Sequence, residues 1–372
     1  MSEPELHADY APSSMYLTVA CPGWKKQSAG VPPQAPTEAI IEGEAGHWVA
    51  AMRAQLGDKF NRQVGQPCPD GVETTEEMLD GAATWVEALE GYPAHIEKRV
   101  EITSIHPTKC WGTPDARQWN LDTKTHRAAD YKFGHEYVDE FECWQLLSYT
   151  VGSLDEVYPD WRNDSDVRAE MTIVQPRFYN APPIRTWTIQ TAGLLHYEAR
   201  MRNAVAEAEG PNPRVISGTH CTHCPARVTC STFAKTVMHA IDFAGRPDPM
   251  VANADQVGKE LVLVQEFIKR LEARETGLSA MAEGMIKAGQ RVPFYSLKQS
   301  EGRLAWTMPI EVVEMSAQMV GKSALKPPAL VTPTQAKDRR LLDTRVIAAY
   351  SDRPKGAFKL TRDSTTARKF TA

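Results

Sequence analysis

His47, Asp115, Asp130, Lys132, Gln145 and Tyr149 occur in an order that could cut a phosphodiester. That reaction needs an activated water, charge neutralisation at phosphorus and help for the leaving oxygen, and a bound divalent cation supplies the first two. Mg2+ and Mn2+ prefer carboxylate oxygens, and Mn2+ also accepts an imidazole. Asp115 follows Gly112-Thr113-Pro114, a bend at the edge of a predicted strand. Asp130 and Lys132 are two apart on the next predicted strand, so both side chains share one face. Tyr131 between them points away, but its carbonyl can reach the same metal. Lys132 is placed to orient or deprotonate the attacking water and to steady phosphate charge. His47 approaches from a helix as a further ligand. Gln145 and Tyr149 lie one helical turn apart on one face, placed to position the strand. An acid-x-Lys triplet alone is usually a surface ion pair, and the ordered set is what carries the inference.

A second constellation consists of thiols. Cys221, Cys224 and Cys230 have C-x2-C-x5-C spacing, and Cys21 stands far upstream in Ala20-Cys21-Pro22-Gly23. With seven cysteines in all, an odd number, metal binding is a better expectation than disulfides. Spacing leaves both Zn2+ and an iron–sulfur cluster open, and His220 and His223 beside the triplet keep zinc in view. Cys68, Cys110 and Cys143 read as small buried hydrophobes. Either metal would tie the amino-terminal segment to the end of the catalytic region and close a very long loop.

Several elements must position these groups. Ser13-Ser14 starts a short helix that delivers Cys21, and 27–36 is a loop. Thr37 caps a helix running to about 56, which carries His47. Gly43 and Gly46 in that helix imply a close approach by another backbone or a ligand. A helix follows over about 75–89. Strands are predicted over 95–102, 110–120, 127–133, 171–174 and 185–189, with helices over 140–154 and 191–209. Gly245-Arg246-Pro247-Asp248-Pro249 reads as a linker. Beyond it Leu261, Val264, Ile268, Leu271, Leu278, Ala282 and Met285 form a heptad-like seam on a long helix ending near Gly289, broken at Glu275. The simplest expectation is that this stripe packs against the main body, with a homodimeric coil as the alternative. Pro327, Pro328 and Pro333 mark another loop.

The 372 residues are 42% hydrophobic and 24% charged, ordinary usage for a soluble globular chain. No apolar run is long enough to span a bilayer, and the polar, acidic start is unlike a secretory signal, so the expected location is the cytoplasm, away from membranes. A net charge of −5 does not advertise nucleic acid, but metal in an acidic cleft offsets that repulsion. The stretch from Lys337 onward is basic and could hold phosphates.

Together these residues resemble the PD-(D/E)XK nuclease superfamily, in its RecB-like branch. That branch has a helix histidine, a Gly-x-x-Asp strand, an acid-x-Lys strand and a Gln-x3-Tyr helix, matched here by His47, Asp115, Asp130 with Lys132, and Gln145 with Tyr149. One cysteine before the catalytic core and three after it are similar to the iron–sulfur version found in AddB and in CRISPR-associated RecB-like exonucleases, matched by Cys21, Cys221, Cys224 and Cys230. An uncharacterised phage and prophage family of such nucleases looks closer still, through Glu42-Gly43-Glu44-Ala45-Gly46-His47 and Val174-Gln175-Pro176-Arg177. The resemblance implies an α/β fold, a restriction-endonuclease-like mixed sheet flanked by helices, with a four-cysteine metal cluster and a helical carboxy-terminal appendage. It implies a nuclease domain over residues 1–244, and the appendage and basic region over 245–372. It favours a 4Fe-4S cluster over zinc, with His47, Asp115, Asp130 and Tyr131 as ligands of Mg2+ or Mn2+. The expected activity is exonucleolytic cutting of single-stranded or end-processed DNA, with phage recombination or replication proteins as partners. The alternative is a module on the same fold that binds DNA or protein without cutting.

Overall fold

Short runs of branched and small residues make the sheet, and longer amphipathic runs cover it. In the computed structural model the helices are α1 (Met15–Ala20), α2 (Trp24–Ser28), α3 (Glu38–Leu56), α4 (Glu76–Ala88), α5 (Trp144–Val157), α6 (Thr191–Glu209), α7 (Ser231–Ala244) and α8 (Ala254–Lys287). The strands are β1 (Ala94–Ile96), β2 (Val100–Glu101), β3 (Trp111–Gly112), β4 (Ala116–Asn120), β5 (Thr125–Tyr131), β6 (Arg168–Val174) and β7 (Ile184–Gln190). The structure describes residues 8–31, 36–90, 94–244 and 254–297, with Met315 and Arg345. The chain divides into two units, Met1–Lys298 and Gln299–Ala372. In the second, Met315 and Arg345 are helical. The expected linker at 245–249, the loop marked by Pro327, Pro328 and Pro333, and the basic stretch apart from Arg345 lie outside the described residues.

Five strands form one sheet in the order β1-β4-β5-β6-β7, and β2 and β3 form a separate two-stranded ladder. β5 and β6 run parallel, because the α5 crossover lies between them, and the other neighbours are antiparallel. One face of the sheet buries Ala128, Met171 and Ile173 against Leu146 and Val151 of α5 and Met201 of α6. The other buries Ala129, Tyr131 and Val174 against Val49 of α3 and Met78 and Trp85 of α4. The architecture is thus a mixed sheet flanked by helices on both faces, as expected. Among the described residues no helix is long and apolar enough to cross a membrane.

Several boundaries differ from expectation, for local reasons. The strand expected over 95–102 is two strands in different sheets, broken at Glu97, whose φ of 51° lies in the left-handed region. The strand expected over 110–120 breaks between Gly112 and Ala116, where Pro114 has no N–H to give a ladder. α5 begins at Trp144 rather than 140, after Glu142 at φ 53° and Cys143 as its extended N-cap. β6 begins earlier than predicted, at Arg168.

In α3 the Thr37 hydroxyl accepts the Ile40 N–H at 3.4 Å, as its capping role predicts. A Cβ on Gly46 would stand 2.5 Å from the Phe133 ring, so the glycine allows β5 and its continuation to approach the helix. Gly43 has nothing within 4 Å and does not serve a close approach.

The seam on α8 departs most. Leu261, Val264, Ile268, Leu271, Leu278 and Met285 are exposed instead of packed on the body. The helix packs through small residues on another side, with Ala273 buried and Gly277 against Val228.

His126 on β5 is buried, and among the described residues neither ring nitrogen has a hydrogen-bond partner. Burial, then the nearby Arg117 charge, hold its pKa down to about 3. The unfolded chain therefore binds the extra proton between the ordinary value and about 3. Stability from this ring is full above about pH 6.5 and falls as pH drops. Between pH 7 and pH 5 the wild type is expected to lose about 2 kcal/mol of unfolding free energy through it. His126→Gln is expected to lose that part of the pH dependence in urea titrations, and an unchanged slope would count against the assignment.

Candidate active site and cysteine centre

Asp115 stands just before β4, beside the end of β5. Its Oδ2 accepts the Tyr131 N–H at 2.7 Å and lies 3.5 Å from Nδ1 of His47 on α3. Asp130, buried on β5, accepts the Gln145 Nε2–H on Oδ1 at 3.0 Å. Its Oδ2 lies 2.8 Å from the Lys132 ammonium, yet receives no well-aligned hydrogen bond. Lys132 also donates to Gln145 Oε1 at 3.5 Å. Gln145 thus uses both ends of its amide on the acid-x-Lys pair. Tyr149 lies one turn further along α5, with its hydroxyl near Gln145.

Backbone direction adds one more group. The Lys132 N–H donates to Val174 O on β6 at 2.8 Å. A planar trans peptide points its C=O opposite to that N–H, so the Tyr131 carbonyl faces the β4 side, where Asp115 sits. The Tyr131 ring lies on the other face, edge-on to His47 with centroids 5.3 Å apart.

The site contains an acid that the sequence reading passed over. Glu97 follows β1, and its N–H donates to Asp115 O at 3.2 Å. The β1–β4 register pairs Ile96 with Ala116, which brings Glu97 level with Asp115. Its outer side meets solvent, but burial of the rest, then the charges of Asp115 and Asp130, push it up to about 7. Burial, then the Asp130 charge, also hold the Asp115 carboxyl above the ordinary carboxylate range, against the pull of His47 and Lys132. Burial works against the Lys132 ammonium, but Asp130 leads the opposing effects and the net shift is upward. Two carboxylates therefore lie beside one ammonium and one imidazole, with the Glu97 backbone level with Asp115. Oxygen donors with one imidazole suit a hard divalent cation, and mutual repulsion of the acids gives such a cation something to relieve.

The four cysteines meet at the far end of α1. Cys21 follows α1, Cys221 lies in the short 3-10 turn Thr219–His223, and Cys224 stands between that turn and a second, Pro225–Arg227. Cys21, Cys221, Cys224 and Cys230 line one pocket with Trp24 and Phe233. All four are buried and none forms a disulfide. Cys21 Sγ accepts the Ile216 N–H at 3.3 Å, and Cys221 Sγ accepts the Gly218 N–H at 3.4 Å. Burial, relieved in part by backbone donors, raises the thiol pKa of Cys21, Cys221 and Cys224. Among the described residues no group of three or more His, Cys, Asp or Glu stands in geometry that would hold a metal ion as it is. The donor set still fits one, because four cysteines line one pocket and backbone N–H groups bond two of the sulfurs. The His220 ring is held by Ile216 O at 3.0 Å and lies 3.7 Å from Cys221 Sγ. Cys68 and Cys110 are buried in the two cores of the sheet. Cys143 caps α5 beside Asp130 and Lys132, and burial first, then the Asp130 charge, push its thiol up to about 11.

Residues 7–340 match a family described as a protein of unknown function, DUF2800. No curated protein matches the chain.

Proposed function

The chain belongs to DUF2800, and for it we propose metal-dependent hydrolysis of DNA phosphodiesters. One observation carries this reading: where β4 and β5 meet, Asp115 lies 3.5 Å from the His47 ring and Asp130 lies 2.8 Å from the Lys132 ammonium. His47, Asp115, Asp130 and the Tyr131 carbonyl would hold Mg2+ or Mn2+. Such an ion supplies an activated water and neutralises charge at phosphorus. Lys132, with its pKa raised, stays an ammonium at neutral pH. It would orient water and balance phosphate charge rather than remove a proton. Gln145 holds both members of the acid-x-Lys pair, so its part is to fix their geometry. Glu97 adds a carboxylate at the rim. Cys21, Cys221, Cys224 and Cys230 would hold a 4Fe-4S cluster or zinc apart from the reacting atoms. The resemblance to RecB-like nucleases supports DNA as the polymer and exonucleolytic cutting as the mode.

End-labelled single-stranded and duplex DNA, incubated with Mg2+ or Mn2+, tests the reading. Lys132→Ala is expected to lower the cutting rate by ~10²–10³, the scale of removing one group that stabilises transition-state charge. Glu97→Gln is expected to lower it by about tenfold, as for a supporting ligand. Product that persists unchanged in Lys132→Ala would exclude the site. A wild type that retains DNA with no product as Mn2+ is added would replace cutting with binding.

A further inference from the structure

Residues 216–230 contain little regular structure beyond two 3-10 turns, yet α8 is seated on them. Three residues on one side of the helix make the seat. Ala273 is buried in the same apolar cluster as Cys221, Cys224, Cys230 and Phe233. Arg274 Nη1 donates to the carbonyls of Arg227 and Val228, at 3.2 and 3.1 Å, just after the second turn. A Cβ on Gly277 would stand 2.6 Å from Val228 Cγ2 and 3.0 Å from Arg227 Nε, so only a glycine lets the helix come this close.

Every one of these contacts falls between Cys221 and Cys230 or on those residues' own cluster. A loop of this kind has two sources of order, its thiols on the inside and α8 on the outside. Metal binding to a site that the unfolded chain lacks is itself folding free energy.

We propose that the four-cysteine centre and α8 form one cooperative unit, in which a bound metal fixes the seat of the helix and the docked helix in turn retains the metal. This rests on the quartet holding a metal and is independent of the nuclease reading. Coupling between two binding events is reciprocal, so the factor by which metal favours docking equals the factor by which docking favours metal. The exposed seam from Leu261 to Met285 would then be presented in a fixed attitude only when the centre is loaded.

Both directions are measurable on the full chain. Amide hydrogen exchange is compared before and after a chelator strips the metal. Protection over 260–285 is expected to fall by about tenfold or more, while β4, β5 and β6 keep theirs. Conversely, chelator stripping is timed by metal release in Gly277→Val and in Gly258→Val. Gly258 lies on the same helix with nothing within 4 Å, so it controls for the helix cost of the substitution. Gly277→Val is expected to release metal about tenfold faster and Gly258→Val at the wild-type rate. If Gly277→Val does not fold, Arg274→Ala serves the same arm. Unchanged protection of α8 on stripping, or equal release from the seat variant and the control, would overturn the coupling. A purified chain with no metal on its thiols would overturn it as well, and the DNA assay would still stand.

Discussion

Asp115→Asn is expected to abolish DNA cutting and, in the presence of chelator, to make the protein more stable. Burial and the Asp130 charge raise the Asp115 carboxyl above its unfolded value. A carboxyl raised on folding prefers its proton, so at pH 7 its ionised form works against the native state. That penalty is full above the folded pKa and fades as pH falls toward the unfolded one. An amide carries no charge but keeps an oxygen, so the Tyr131 N–H at 2.7 Å retains its acceptor. Asparagine should therefore stabilise the metal-free protein by about 1–2 kcal/mol at pH 7, and the gain should shrink by pH 5. Cutting with Mg2+ or Mn2+ should fall by ~10³ or more, because a charged ligand is gone. Melting curves in chelator at the two pH values, beside an end-labelled DNA assay, read both effects. A variant that melts lower than wild type, or that still cuts, would show that Asp115 is not an acid held ready for a cation. Opposite movements in stability and activity are what a strained functional group produces and what an ordinary ion pair does not.

The candidate site residues were legible as a group because their order along the chain is itself restrictive. His47, Asp115, Asp130, Lys132 and Gln145 meet in space, and Tyr149 joins through Gln145. Glu97 was not legible, since it sat in a segment that read as one continuous strand. Only the register of β1 on β4 brings it level with Asp115. Gln145 was legible as a member of the site but not in its part, because a spacing of four shows a shared helix face and not which atoms an amide will bond. The α8 seam shows a different limit. Heptad spacing reveals an apolar stripe, but docking is decided by Ala273 and Gly277, which leave no periodic signal. Breaks at Glu97 and Pro114 likewise depend on one backbone angle and one missing N–H, against a run of strand-forming neighbours.

Cys224→Ser is expected to lower both stability and cutting, although serine is nearly the same size and leaves the packing intact. Cys21 and Ile216 lie 195 positions apart, and the bond between the Cys21 sulfur and the Ile216 N–H already marks where the chain closes on itself. A metal on the four thiols would close that loop covalently, and structural metal sites contribute a large part of folding free energy in small domains. Losing one ligand should cost at least about 3 kcal/mol, well beyond the loss of a single buried hydrogen bond. The effect should reach the catalytic turn by a direct route. Pro12, shortly before Cys21, packs against Gly112, where an added Cβ would stand 2.9 Å from its Cδ and 3.0 Å from the Tyr149 ring. Gly112 opens the bend that sets Asp115, so an amino-terminal segment that comes loose removes one wall of the site. Metal content, melting and cutting rate should therefore fall together in Cys224→Ser, and chelation of the wild type should reproduce the fall in melting. A serine variant with full metal content and wild-type melting would leave the quartet as four buried thiols with no clamp between them.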